Sequence, residues 1–147
     1  VEVCPNRANT FVAVPPGAGF AQHLQILHVD ALCNECGNCG FFCPWQGEPY
    51  RGKPTFFASV ETLEASKNAG FAFIGEPGSP DLALRAEYEG AVRVLPHSEW
   101  AGRDAGRTAA PTAGTGAGGG ADGAARMSAL ARVVRAEHPY LSGGAAC

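Results

Sequence analysis

The chain has 147 residues, with 14 Asp and Glu against 11 Lys and Arg for a formal net charge of −3, and a pI of about 5.8. That length suits one modest domain or a small module with appendages, and the charge excludes the basic footprint of a nucleic-acid-binding protein. No apolar run approaches the roughly 18 residues needed to span a membrane; much of the 46% hydrophobic content is alanine, and 20 Gly with 11 Pro point to a loop-rich chain.

The opening stretch, Val1-Glu2-Val3-Cys4-Pro5-Asn6-Arg7, reads as the middle of a longer polypeptide. No secretory signal is visible, so the expected setting is a reducing cytoplasm. Thr10–Val14 and His23–Val29 are rich in β-branched and apolar residues, and Pro15-Pro16-Gly17-Ala18-Gly19 separates them. This predicts a β-hairpin with a long turn. His28 and Asp30 flank the entry to a cysteine-rich stretch. His28 reads as a polar strand-end residue, with a metal-ligand or tuning role as its alternative. Asp30 is expected to cap the next turn.

Cys33, Cys36, Cys39 and Cys43, closed by Pro44, have the spacing C-x2-C-x2-C-x3-C-P. Bacterial ferredoxins use this run to hold a [4Fe–4S] cluster. A cubane needs four thiolates converging on one point, and two-residue gaps let one tight loop deliver three of them. Gly37 and Gly40 lack a Cβ, so the backbone is expected to fold closely and turn N–H groups toward the sulfurs. Pro44 fixes φ and carries no N–H. The main alternative is a zinc-bound structural or interaction module, although zinc thiolates usually arrive as two separated CxxC pairs. A disulfide framework fits least, because cysteines this close are poorly placed to bridge one another.

Cys4-Pro5 leading to Thr10-Phe11-Val12-Ala13 parallels Cys43-Pro44 leading to Thr55-Phe56-Phe57-Ala58, as in an internal duplication. In two-cluster ferredoxins the fourth cysteine of each run ligates the other cluster. Under that rule Cys33, Cys36 and Cys39 share a cluster with Cys4. Cys43 then belongs to a second cluster whose other cysteines are not in this chain. The alternative is a single cluster closed by Cys43, with Cys4 a spare thiol. Trp45 is either a shield against water or ordinary core, and Arg51 and Lys53 are either solvated surface or a docking rim.

Thr55–Ser59 and Phe71–Ile74 read as strands, with a short helix over Val60–Asn68 that Gly70 ends. Glu76–Pro80 is a turn, and Leu82–Tyr88 and Ala91–Leu95 flank a tight turn at Glu89-Gly90. Glu61, Glu64, Asp81, Glu87 and Glu89 read as a solvated acidic face, and His97 and Trp100 as structural. Residues 101–125 read as a flexible Gly/Ala linker. Arg126–His138 reads as an amphipathic helix that docks on the protein or on a partner, with Met127, Leu130, Val133 and Val134 on one stripe and Pro139 ending it. Cys147 reads as an exposed thiol. The expected class is α+β. A ferredoxin-like iron–sulfur module occupies residues 1–54 and a small β-α-β-β unit with its own core residues 55–100. The linker spans 101–125, and the helix with its tail spans 126–147. No general base paired with a nucleophile is visible, so no catalytic residue is expected.

Two stretches go beyond a generic ferredoxin: Cys4–Asn9, and Leu32–Gly47 with Pro49-Tyr50 after it. Together with the continuation from Lys53 through Phe71 and the ending His138-Pro139-Tyr140-Leu141, they resemble the C-terminal iron–sulfur region of the family called "putative selenate reductase large subunit". That family is a large iron–sulfur flavoprotein, related to the small subunit of glutamate synthase and to dihydropyrimidine dehydrogenase. The resemblance covers roughly residues 1–100 and 126–141, and the Gly/Ala stretch departs from it. It implies electron relay through [4Fe–4S] clusters, one completable in this chain and a second in the intact protein. FAD and NAD(P)H would belong to the upstream part of the flavoprotein chain, and a molybdenum-containing oxidoreductase subunit is the implied acceptor. The selenate in the label has no counterpart in these residues.

Overall fold

The computed structural model describes residues 2–44, 47–101 and 121–142. Six strands form one sheet in the order β1-β2-β3-β4-β5-β6: β1 Asn9–Ala13, β2 Leu24–Val29, β3 Thr55–Phe56, β4 Gly70–Ile74, β5 Asp81–Arg85 and β6 Val92–Leu95. β2, β3 and β4 are parallel neighbours, and the remaining pairings are antiparallel. The architecture is therefore mixed α/β.

β1 and β2 form the antiparallel hairpin, in the register Asn9↔His28 to Ala13↔Leu24. The parallel pairing of β2 with β3 requires a long crossover, and here the crossover is the cysteine-bearing stretch between Val29 and Thr55. β3 and β4 are likewise parallel, and their crossover is α3, Val60–Ala65. Ser59 and Thr62 close a reciprocal capping box at its start. The helix is shorter than the composition of 60–68 predicts, and Gly70 does not end it. Gly70 is the first residue of β4, where a Cβ would fall 2.1 Å from the Thr55 carbonyl oxygen. Only a residue without a side chain allows that pairing.

Alternation along the strands divides the core between the two faces. One face carries Val12, Leu27, Phe71, Leu82 and Leu84, covered by Met127, Leu130, Ala131 and Val134 of α5, Ala121–Glu137. The opposite face carries Ala72 and Ala83, packed with Phe57 and Leu63 of α3. The first cluster draws on residues both before and after position 54, so the sheet and its main core are continuous across it.

The last helix starts at Ala121, five residues before the predicted Arg126; within that added turn Gly123 approaches Ala86 and Ala124 packs against the main core. It lies on the protein itself. Arg132 donates to the Trp100 carbonyl at 2.8 Å; Arg135 Nη1 lies 2.6 Å from His97 Nε2, and Arg135 Nη2 donates to the Gly78 carbonyl. Trp100, on α4 (His97–Trp100), is buried and donates through Nε1 to the Pro80 carbonyl at 3.0 Å. The expected acidic face is partly engaged: Asp81 accepts from the His97 backbone N–H at 2.9 Å, and Glu89 pairs with Lys67 at 2.6 Å. Trp45, Cys147 and residues 102–120 of the predicted linker lie outside the described residues.

Candidate metal centre

The crossover from β2 starts with a single 3-10 turn, Asp30–Leu32. Asp30 does not cap it, contrary to the sequence expectation. The capping position is Val29, which has no side-chain acceptor, and Asp30 contributes its carbonyl, which accepts from Cys33 N–H at 2.9 Å. The loop then tightens. Glu35 has φ 51° and Gly37 φ 79°, two left-handed residues within three positions. At Gly37 nothing crowds a Cβ within 4 Å, so the requirement is conformational and not steric. Gly40 differs. It lies inside α1, Asn38–Phe41, and a Cβ there would meet its nearest neighbour at an ordinary 3.6 Å. Cys39 shares that one-turn helix, and Cys43 comes just after it, donating its N–H to the Gly40 carbonyl at 3.1 Å. Pro44 is exposed. Chain direction is restored by α2, Pro49–Gly52, and Asn68 Nδ2 donates to the Tyr50 carbonyl at 2.8 Å, tying the loop's exit to the α3–β4 connection.

Cys4 comes from the chain just before β1, at the same end of the hairpin as the cysteine loop. A turn closed by Arg7 N–H on the Cys4 carbonyl at 3.1 Å, with Arg7 at φ 53°, leads into β1. Val29 N–H donates to the Ala8 carbonyl at 2.7 Å, so the start of β1 lies beside the start of the cysteine loop. Cys4 and Leu32 consequently line one cleft.

Three backbone N–H groups already point at sulfur: Ala8 at Cys4 Sγ (3.3 Å), Glu35 at Cys33 Sγ (3.3 Å) and Gly47 at Cys43 Sγ (3.4 Å). Such donors stabilise charge on a ligating thiolate. Burial pushes the Cys33 thiol up. The Glu35 N–H opposes this, and the charges of Cys39, Cys4 and Glu35 add to the upward shift. Among the described residues no three His, Cys, Asp or Glu side chains converge as a metal site. The donor set, all thiol with backbone N–H groups aimed at sulfur, fits an iron–sulfur or zinc group in its chemistry.

On the other flank, His28, Asp30, Cys33 and Glu35 line a second, polar cleft with Tyr50 and Lys67. His28 is 2% exposed, and its Nδ1 lies 3.0 Å from Asn9 Oδ1. Burial lowers its pKa, with the Glu35 charge acting in the opposite direction. Burial, and then Glu35, raise the Asp30 carboxyl. Arg51 pairs with Glu48 at 3.3 Å, both side chains being exposed. Cys36, Phe41 and Phe42 are exposed. Sequence reading missed the parts played by Glu35 and Ala8, because both act through backbone N–H groups that every residue type except proline carries. It also missed the Asn9–His28 pair, which depends on register across the hairpin.

Fold and site together define a mixed α/β unit in which the crossover between two parallel strands is a cysteine-rich loop. Similarity to known proteins adds a class. Over 71 residues the chain is 55% identical to the protein named "Putative oxidoreductase YgfK" in Escherichia coli strain K12, and equally to its namesake in Escherichia coli O157:H7. The match takes in 48% of this chain and 7% of each relative, so the chain spans a small share of the length of the curated relatives it matches. Nearly half of this chain is thus related to part of a much longer oxidoreductase chain. No family model matches it, and no solved structure does.

Proposed function

We propose that this chain is an electron-transfer segment of a larger oxidoreductase, holding a [4Fe–4S] cluster on Cys33, Cys36, Cys39 and Cys4, with Cys43 serving a second cluster. The observation that supports this reading is that the β1–β2 hairpin sets the start of β1 beside the start of the cysteine loop, so that Cys4 shares a cleft with Leu32, the residue before Cys33. The spacing C-x2-C-x2-C-x3-C-P and the rule of exchanged fourth cysteines supply the cluster type. The relation to an oxidoreductase chain supplies the setting.

When bound, such a cluster exchanges one electron at a potential that ranges over about −700 to +450 mV among proteins. The contribution of this chain is local. The Glu35 and Ala8 N–H groups stabilise negative charge on two sulfurs, Gly37 sets the loop's turn, and Val29 and Leu32 line the cleft beside Cys4. FAD, a nicotinamide cofactor and a molybdenum-containing partner belong to this proposal for the whole protein, and none of the residues discussed for this chain is assigned to them.

Iron and acid-labile sulfide per chain, measured on protein purified without oxygen, test the reading. The expected result is about four irons per chain, lost in Cys4→Ala and retained in Cys43→Ala, with a visible absorption band that bleaches on reduction. Zinc in place of iron would refute the cluster, and loss of iron in Cys43→Ala with retention in Cys4→Ala would refute the exchanged ligation.

A further inference from the structure

The cleft at Cys4, about 700 Å³ in volume, is lined by Cys4, Pro5, Val29 and Leu32 together with Tyr140 and Leu141. The last two belong to α6, Pro139–Ser142, some 135 residues along the chain from Cys4. Their position there results from α5. That helix starts against the end of β5, where Gly123 approaches Ala86 so closely that a Cβ would lie 2.9 Å from the Ala86 Cβ. It then crosses the sheet with Met127, Leu130 and Val134 buried, reaching β1 at its far end. At about 1.5 Å per residue its 17 residues span about 25 Å, enough to carry the chain across the sheet. Leu141 packs against the main core, and its N–H donates to the His138 carbonyl at 2.9 Å. The Tyr140 hydroxyl lies 3.1 Å from His138 Nδ1. The turn is therefore held from inside by the core and from outside by a side-chain hydrogen bond.

We propose that the α6 turn, through Tyr140 and Leu141, is the wall that limits access of water and solutes to the Cys4 sulfur. Its functional meaning rests on the proposed cluster, whereas the wall itself does not. Cys4 is half-buried although Pro5, Asn6 and Arg7 are exposed; part of its cover is local, from buried Ala8, whose N–H points at the sulfur, and the cleft brings Val29, Leu32, Tyr140 and Leu141 to it as well. Opening the wall lets water reach the Cys4 corner. Water favours the more highly charged, reduced state, so the midpoint potential rises.

The test uses the full chain, isolated without oxygen, with Tyr140→Ala and Leu141→Ala. Tyr140 is 69% exposed, so its replacement leaves the core intact even if Leu141→Ala loosens it. Each cysteine is tracked by alkylation with iodoacetamide and peptide mass spectrometry, alongside iron content and midpoint potential. The expected result is several-fold faster alkylation at Cys4 with Cys36 unchanged, and a midpoint potential more positive than that of the parent. An unaltered Cys4 rate in both variants overturns the proposal, as does equal acceleration at all the cysteines. Absence of iron would sink the cluster reading alone, and the Cys4 rate would still decide the wall.

Discussion

His28 Nδ1 lies 3.0 Å from Asn9 Oδ1, and the two residues stand directly opposite each other in the β1–β2 register. Both are buried, so neither exchanges its partner for water at little cost. The pair closes the hairpin at the end from which the cysteine loop departs.

That pair predicts acid lability. Burial holds the His28 pKa below its ordinary 6.5, against the opposing charge of Glu35. The unfolded chain therefore takes up a proton at a pH where the folded chain does not. The stabilisation is complete above 6.5 and is lost as pH falls from 6.5 through the folded value. Asp30, Cys33, Glu35, Tyr50, Arg51 and Lys67 face the same cleft. Of these, Asp30 is raised from 3.8 by burial and then by Glu35, and acts in the opposite sense. Urea midpoints on either side of pH 6.5 should fall toward acid, and His28→Gln should flatten the dependence. Equal slopes in the two proteins would exclude His28 as the cause.

Gly37 and Gly40 should separate on substitution. Gly37 needs φ 79°, so Gly37→Ala should cost about 1 kcal/mol and Gly37→Val more. Bound iron should fall with both, because the turn sets where Cys36 and Cys39 point. Gly40 is helical with room for a Cβ, so Gly40→Ala should be neutral or stabilising by about 0.5 kcal/mol. Denaturation midpoints and iron per chain decide both.

Gly70→Ala should be among the most damaging single changes in the sheet. The added methyl would fall 2.1 Å from the Thr55 carbonyl oxygen and 2.8 Å from the Phe57 ring, so β3 must move away from β4. A loss of about 3 kcal/mol or more is expected in chemical denaturation. A loss below about 1 kcal/mol would mean that the two strands can separate cheaply.

Arg85 should tolerate no replacement. It is buried, donating through Nε to the Gly90 carbonyl at 2.7 Å and through Nη1 to the carbonyls of Leu63 (2.9 Å) and Ser66. These are carbonyls from the end of α3 and from the β5–β6 turn. Arg85→Met should cost about 3 kcal/mol by leaving them without a donor. Arg85→Lys should recover only part, because a point ammonium cannot span the fork. Thermal unfolding of the three proteins measures the difference.

The hairpin was legible because β-branched residues alternate on either side of a Pro/Gly turn, signals that act within a few residues. The last helix was legible in its apolar stripe but not in its start, since the stretch before Arg126 has no stripe and its packing, Gly123 on Ala86 and Ala124 on the main core, is made with residues far away in the chain. Gly70 read as a helix stop because glycine ends helices more often than it admits a neighbouring carbonyl. Asp30 read as a cap because its residue type favours capping, yet the turn begins one residue too early for its side chain to serve.

The sequence by itself determined that four cysteines fall within one short loop. Their spacing alone confines Cys33, Cys36, Cys39 and Cys43 to that loop, whatever the rest of the chain does. Only the tertiary structure decided what surrounds that loop. Cys4 reaches it because β1 and β2 pair, the sheet runs unbroken past residue 54, and Tyr140 and Leu141 arrive because α5 crosses that sheet. Those relationships depend on packing between residues far apart in the chain, and packing distances between such residues are set by the whole core and not by local spacing.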